Sequence, residues 1–96
     1  MEEQFGIAAF RSRQQVMAFD QALRKNGIRT SVVNTPRAVA TGCGLSVRFS
    51  LEDAMAAAEV YRALRPGNLV GFYHVQRDDR GRLQVSAMGV EVGYTG

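Results

Sequence analysis

The chain has 96 residues, 46% of them hydrophobic and 22% charged, with a formal net charge of +3 at pH 7. That length suits one small domain spanning residues 1–96 with a thin core; eleven of the twelve cations are arginine and lie scattered rather than in one run, so a nucleic-acid partner is not expected. One cysteine and one histidine exclude an internal disulfide and a recognisable zinc-ligand set, no apolar run is long enough to span a membrane, and the acidic start Met1-Glu2-Glu3-Gln4 lacks the features of a secretory signal, so a cytoplasmic location is expected.

Residues 5–10, Phe-Gly-Ile-Ala-Ala-Phe, are an apolar run that reads as a first strand. Ser12 with Gln15 three positions on forms a capping-box pattern, so a helix is expected to open there. Val16, Phe19, Ala22 and Leu23 recur at helical spacing, and Asn26-Gly27 ends the run. Residues 28–33 are rich in β-branched side chains and predict a second strand. After the loop 34–44, Leu45, Val47 and Phe49 alternate with Ser46, Arg48 and Ser50, which predicts a third strand with one buried face. Ser50 and Asp53 predict the start of a second helix whose apolar side carries Ala54, Met55, Ala58 and Tyr61, stopped by Pro66-Gly67. Residues 69–75 predict a fourth strand, Asp78-Asp79-Arg80-Gly81 a turn, and residues 83–87 a strand pairing back as a hairpin. Residues 90–94 alternate weakly, as a further edge strand would.

This order predicts an α+β fold: a ferredoxin-like βαββαβ sandwich, one antiparallel sheet with two helices on one face, plus a C-terminal β-hairpin extension. Right-handed crossovers put strand one beside strand three. The end of strand one, the start of helix one and the start of strand three then meet at one edge of the sheet. The loop carrying Cys43 is expected beside Arg11, Ser12 and Arg13, with residues 65–68 close by.

Cys43 lies between Gly42 and Gly44, so neither neighbour has a side chain to block an approaching partner. A thiol attacks as thiolate, and helix N-termini and nearby arginines favour that form. Arg11, Ser12 and Arg13 at the helix start, Arg37 in the loop and Arg48 on the following strand are candidates to stabilise it, with Gly42 and Gly44 aiming N–H groups inward as an anion nest. His74 has no evident carboxylate partner, so a hydrolase triad is unsupported.

The run Thr35-Pro36-Arg37, then Gly42-Cys43-Gly44-Leu45 leading into Val47-Arg48-Phe49, resembles the signature of a small bacterial family of selenium/sulfur (Se/S) carrier-like proteins. The apolar first strand, Ser12 and Gly27-Ile28 fit as well. The resemblance covers roughly residues 5–75, and residues 76–96 extend beyond it. It implies that Cys43 holds a transient persulfide or selenopersulfide, with no resident cofactor or metal. Such a protein is a carrier more than a turnover enzyme. It would take the atom from a cysteine desulfurase-like donor and pass it to an acceptor protein.

A plainer reading stands beside this one. Free cysteine is among the most buried residue types, and Cys43 shares its parity with Leu45, Val47 and Phe49. The protein would then be a non-catalytic interaction or regulatory module, dimerising or binding a partner through the sheet face the helices leave open. In the same vein Arg11, Arg13 and Arg37 read as solvated, Arg48 as a surface ion-pair partner, and Met17, Met55 and Met88 as core filler. Phe49, Phe72 and Tyr73 could offer stacking surfaces to RNA bases but read better as sheet packing.

Overall fold

The computed structural model describes residues 3–39 and 42–88. Among the described residues five strands and two α-helices follow in the order β1 (Glu3–Phe10), α1 (Arg13–Lys25), β2 (Thr30–Asn34), β3 (Leu45–Phe49), α2 (Ala54–Leu64), β4 (Leu69–Arg77) and β5 (Leu83–Ala87). The fold is α+β. All the strand pairs are antiparallel and form one sheet in the order β2-β3-β1-β4-β5. The expected neighbourhood of β1 and β3 is present, with Ala8 opposite Val47 and Ala9 opposite Ser46. The weakly alternating segment 90–94 lies outside the described residues.

α1 forms because Val16, Phe19 and Leu23 fall on one stripe, and all three are fully buried. Its N-cap is Ser12, in an extended conformation, but the hydroxyl makes no capping hydrogen bond. The expected capping box is not made because the Gln15 N–H donates instead to the Ser12 carbonyl at 3.1 Å, which closes the first turn tightly. At the other end the Asn26 side chain donates to the Ala22 carbonyl at 2.8 Å, and Gly27 takes the left-handed conformation that stops the helix. Asp20, buried on the same helix, accepts a hydrogen bond from Thr30 Oγ1 at 2.5 Å and pairs with Arg24 at 3.2 Å, tying α1 to β2.

α2 is entered through a 3-10 turn, Leu51–Asp53, which Ser50 precedes, so the helix proper starts later than expected. Its buried stripe runs through Ala57 and Ala58, with Ala54 and Tyr61 packed partly against the core. Met55 lies outside that stripe and is 80% exposed. Met17 is also exposed, so neither is the core filler expected of it, whereas Met88 does pack against the core. The helix ends at Arg65, whose positive φ of 48° breaks the repeat just before Pro66.

Both helices feed one hydrophobic cluster with the sheet residues Ala8, Phe10, Val47, Phe49 and Phe72. Phe19 sits at its centre, with Phe10, Phe72 and Tyr61 rings 5.5, 6.0 and 6.1 Å away. Phe10, Phe19 and Phe72, all buried, each contribute about 1.5–3 kcal/mol. The opposite face of the sheet carries a smaller cluster of Phe5, Ile7 and Val75, flanked by Val33, Tyr73 and Val85. Phe49 and Phe72 therefore face the helices while Tyr73 lies on the other side, and the three aromatics do not form one stacking surface. Ser46 is fully buried although it belongs to the polar set of the β3 alternation. Among the described residues, no helix is long and apolar enough to cross a membrane.

Candidate functional site around Cys43

The loop between β2 and β3 is closed at its base by Thr35. Its N–H donates to the Gly44 carbonyl at 2.9 Å, adding one link past the last strand pair, Asn34 with Leu45. Its hydroxyl lies 2.6 Å from the hydroxyl of Ser46. Beyond it a turn is closed by the Val39 N–H donating to the Pro36 carbonyl at 2.9 Å, and Arg37 is exposed within that turn.

Cys43 returns to the body of the protein at the end of β1, where its N–H donates to the Phe10 carbonyl at 3.0 Å. One residue further on, the Arg11 N–H donates to the Asn68 carbonyl at 2.7 Å, bringing in the chain between α2 and β4. The end of β1, the start of α1, the Cys43 loop and the approach to β4 thus converge at one rim of the sheet. Gly42 is seated tightly in this convergence. Its φ is +112°, and a Cβ there would stand 2.8 Å from the Phe10 carbonyl oxygen, so a side chain fits neither the backbone angle nor the space.

Cys43 is half-buried. Its thiol donates a long hydrogen bond, 3.8 Å, to the Leu45 carbonyl, and its side chain packs against the helix-side cluster. The shared parity with Leu45, Val47 and Phe49 therefore shows in the structure, but as partial contact at the rim rather than full burial. Of the other residues predicted for the site, Gly42 and Gly44 flank the sulfur, and Arg11, Ser12 and Arg13 follow directly on the strand end that anchors it. Arg11, Arg13 and Arg37 are exposed and Ser12 is half-buried. The first turn of α1 carries no acidic residue, leaving its dipole end without a side-chain counter-charge from that turn.

Arg48 is engaged elsewhere. It pairs with Glu3 at 2.8 Å and stacks over the Phe5 ring, 3.8 Å from its centroid, on the face of the sheet opposite the helices. Glu3 belongs to the end of β1 far from Phe10 and also pairs with Arg77 at 3.3 Å. The Arg48 hydrogen bond and charge, with help from Arg77, hold the Glu3 carboxyl below its ordinary range. His74 shares a 2.9 Å hydrogen bond with Gln4, not with a carboxylate. Among the described residues, no group of His, Cys, Asp and Glu side chains could hold a metal ion.

Sequence reasoning assigned no role to Thr35 or Ser46. Thr35 was visible only as part of a motif, and Ser46 only as a polar residue in an alternating strand, which usually means a solvated one.

A family model described as "Putative Se/S carrier protein-like" matches residues 5–65, a span that contains β1 from Phe5 onward, α1, β2, the whole of the β2–β3 loop, β3 and α2. No curated protein and no solved structure matches the chain.

Proposed function

The chain belongs to the Se/S carrier protein-like family, and from that membership we propose that Cys43 carries a sulfur or selenium atom between a donor and an acceptor protein. The observation that carries the proposal is the seat of the cysteine. Its amide is tied to the Phe10 carbonyl, next to the start of α1 and the exposed Arg11 and Arg13, with glycine on either side. Helix N–H groups and guanidinium charge both attract anions. The strand order, read from β4 to β2 as 4-1-3-2, supports a ferredoxin-like core, with β5 as a hairpin added beyond it.

The transfer needs no external oxidant. The Cys43 thiolate attacks the terminal sulfur of a persulfide on a cysteine desulfurase-like donor. A new S–S bond forms, the donor's S–S bond breaks, and the donor cysteine leaves as thiolate. An acceptor nucleophile then attacks the same terminal atom, and Cys43 leaves as thiolate. With selenium the carried atom is held as a selenopersulfide. In this reading Arg37, Gly42, Gly44 and Ser12 also help to stabilise the anionic forms. Radiolabelled cysteine supplied with a desulfurase should transfer label to the wild type and not to Cys43→Ser; equal labelling of both proteins would contradict the proposal.

The contact of Cys43 with the helix-side cluster favours a second reading, in which the thiol is packing and the protein is a non-catalytic module that dimerises or binds a protein partner. Under that reading Cys43→Ser leaves every interaction intact. A pull-down in which Cys43→Ser loses the donor contradicts it.

A further inference from the structure

We infer that the Thr35–Ser46 hydroxyl pair is a positioning clamp that sets how far the Cys43 sulfur stands out from the rim; the inference rests on Cys43 being the carrier residue. The strand ladder between β2 and β3 ends at Asn34 with Leu45. Beyond it the chain must leave sheet geometry, because Gly44 and Gly42 take φ values of +90° and +112°. The loop is nevertheless joined at its base by two bonds from one residue. The Thr35 N–H holds the Gly44 carbonyl at 2.9 Å, and the Thr35 hydroxyl meets the Ser46 hydroxyl at 2.6 Å.

Ser46 is fully buried, so its hydroxyl has a strong reason to keep this partner, since a buried polar group left unpaired is costly. Ser46 also belongs to the sheet itself, paired on both sides, opposite Ala9 of β1 and Val33 of β2. The hydroxyl pair therefore refers the first residue of the loop to the same strand, β1, whose end holds the Cys43 amide. Cys43 is fixed between these two attachments. With both in place the sulfur rests half-buried at the rim, 3.8 Å from the Leu45 carbonyl and against the helix-side cluster, and loosening the Thr35 end frees it from that position. In-line attack on a donor persulfide requires a sulfur held at a set position and angle.

The test compares wild type, Thr35→Val, Ser46→Ala and the conservative Thr35→Ser. Thr35→Val keeps the backbone bond to Gly44 and removes only the hydroxyl bond. Sulfur loading of Cys43 from a cysteine desulfurase with cysteine is followed by mass spectrometry, alongside alkylation by iodoacetamide and thermal unfolding. Thr35→Val and Ser46→Ala should load roughly tenfold more slowly while remaining folded, and Thr35→Ser should load at the wild-type rate. Ser46→Ala removes the same bond from the other side, so a folding failure at one position leaves the other to decide. Loading at the wild-type rate by a folded Thr35→Val or Ser46→Ala overturns the clamp and leaves the carrier reading standing. A wild type that alkylates readily yet takes no sulfur overturns the carrier reading, and the clamp with it.

Discussion

The amide of Cys43 is hydrogen-bonded to the carbonyl of Phe10 at 3.0 Å, so a residue in a loop between β2 and β3 is positioned by the last residue of β1. That bond follows from topology. β1 and β3 run antiparallel side by side, and the stretch before β3 must pass the end of β1. The position of the sulfur is thus set by the fold of the sheet rather than by the loop alone.

Gly42→Ala should loosen this attachment. The added methyl meets the Phe10 carbonyl oxygen, which is main chain and cannot rotate away. A loss of about 1–3 kcal/mol is expected from the strained φ and the displaced contact together. Gly44→Ala, with open space around its Cβ, carries the backbone strain alone and should lose less, about 1 kcal/mol. Urea midpoints at unchanged slope measure both. An alanine at 42 tolerated better than one at 44 contradicts the packing described for the rim.

The centre of the core should be far more sensitive than the surface of α2. Phe19 is fully buried among three aromatic rings, and Phe19→Ala is expected to cost about 3–5 kcal/mol. Met55, 80% exposed, should change stability by no more than about 0.5 kcal/mol when replaced by alanine. Thermal unfolding of the two variants orders them directly.

Glu3 should impose a small acid sensitivity. Its folded carboxyl is held below the ordinary range by Arg48 first and Arg77 second. A depressed carboxylate adds stability that is complete above its unfolded value, about 4.3, and that is lost as pH falls through the lower folded value. Glu3→Gln should therefore lower the unfolding midpoint at pH 7 and cease to matter in strong acid. The effect should also shrink in high salt, since both partners are half-exposed. A midpoint difference that persists unchanged at low pH contradicts the ion pair as its source.

Much of the fold was legible because local signals agreed with it. Asn26-Gly27 and Pro66-Gly67 stop their helices where expected, and β5 spans residues 83–87, pairing back after the turn at residues 78–81 as expected. The departures come from non-local contacts. β2 starts at Thr30 rather than residue 28 because Ile28, whose N–H bonds back to Leu23, belongs to the turn that closes α1 and is buried in the core. Ser46 is polar and buried because its partner is eleven residues away across the loop. Arg48 makes the surface ion pair expected of it, but its partner, Glu3, lies forty-five residues earlier in the chain. The convergence at the rim was legible from strand order alone. The clamp beneath it was not, because a threonine and a serine at strand ends read locally as solvated residues.

The most direct measurement is the intact mass of the protein after incubation with a cysteine desulfurase and cysteine, mapped by peptide to the modified residue. Cys43 should gain one sulfur atom, about 32 Da, in a form removed by thiol reductants, and Cys43→Ser should gain none. No gain on Cys43, with a control carrier labelled in the same tube, would contradict its role as the carrier residue.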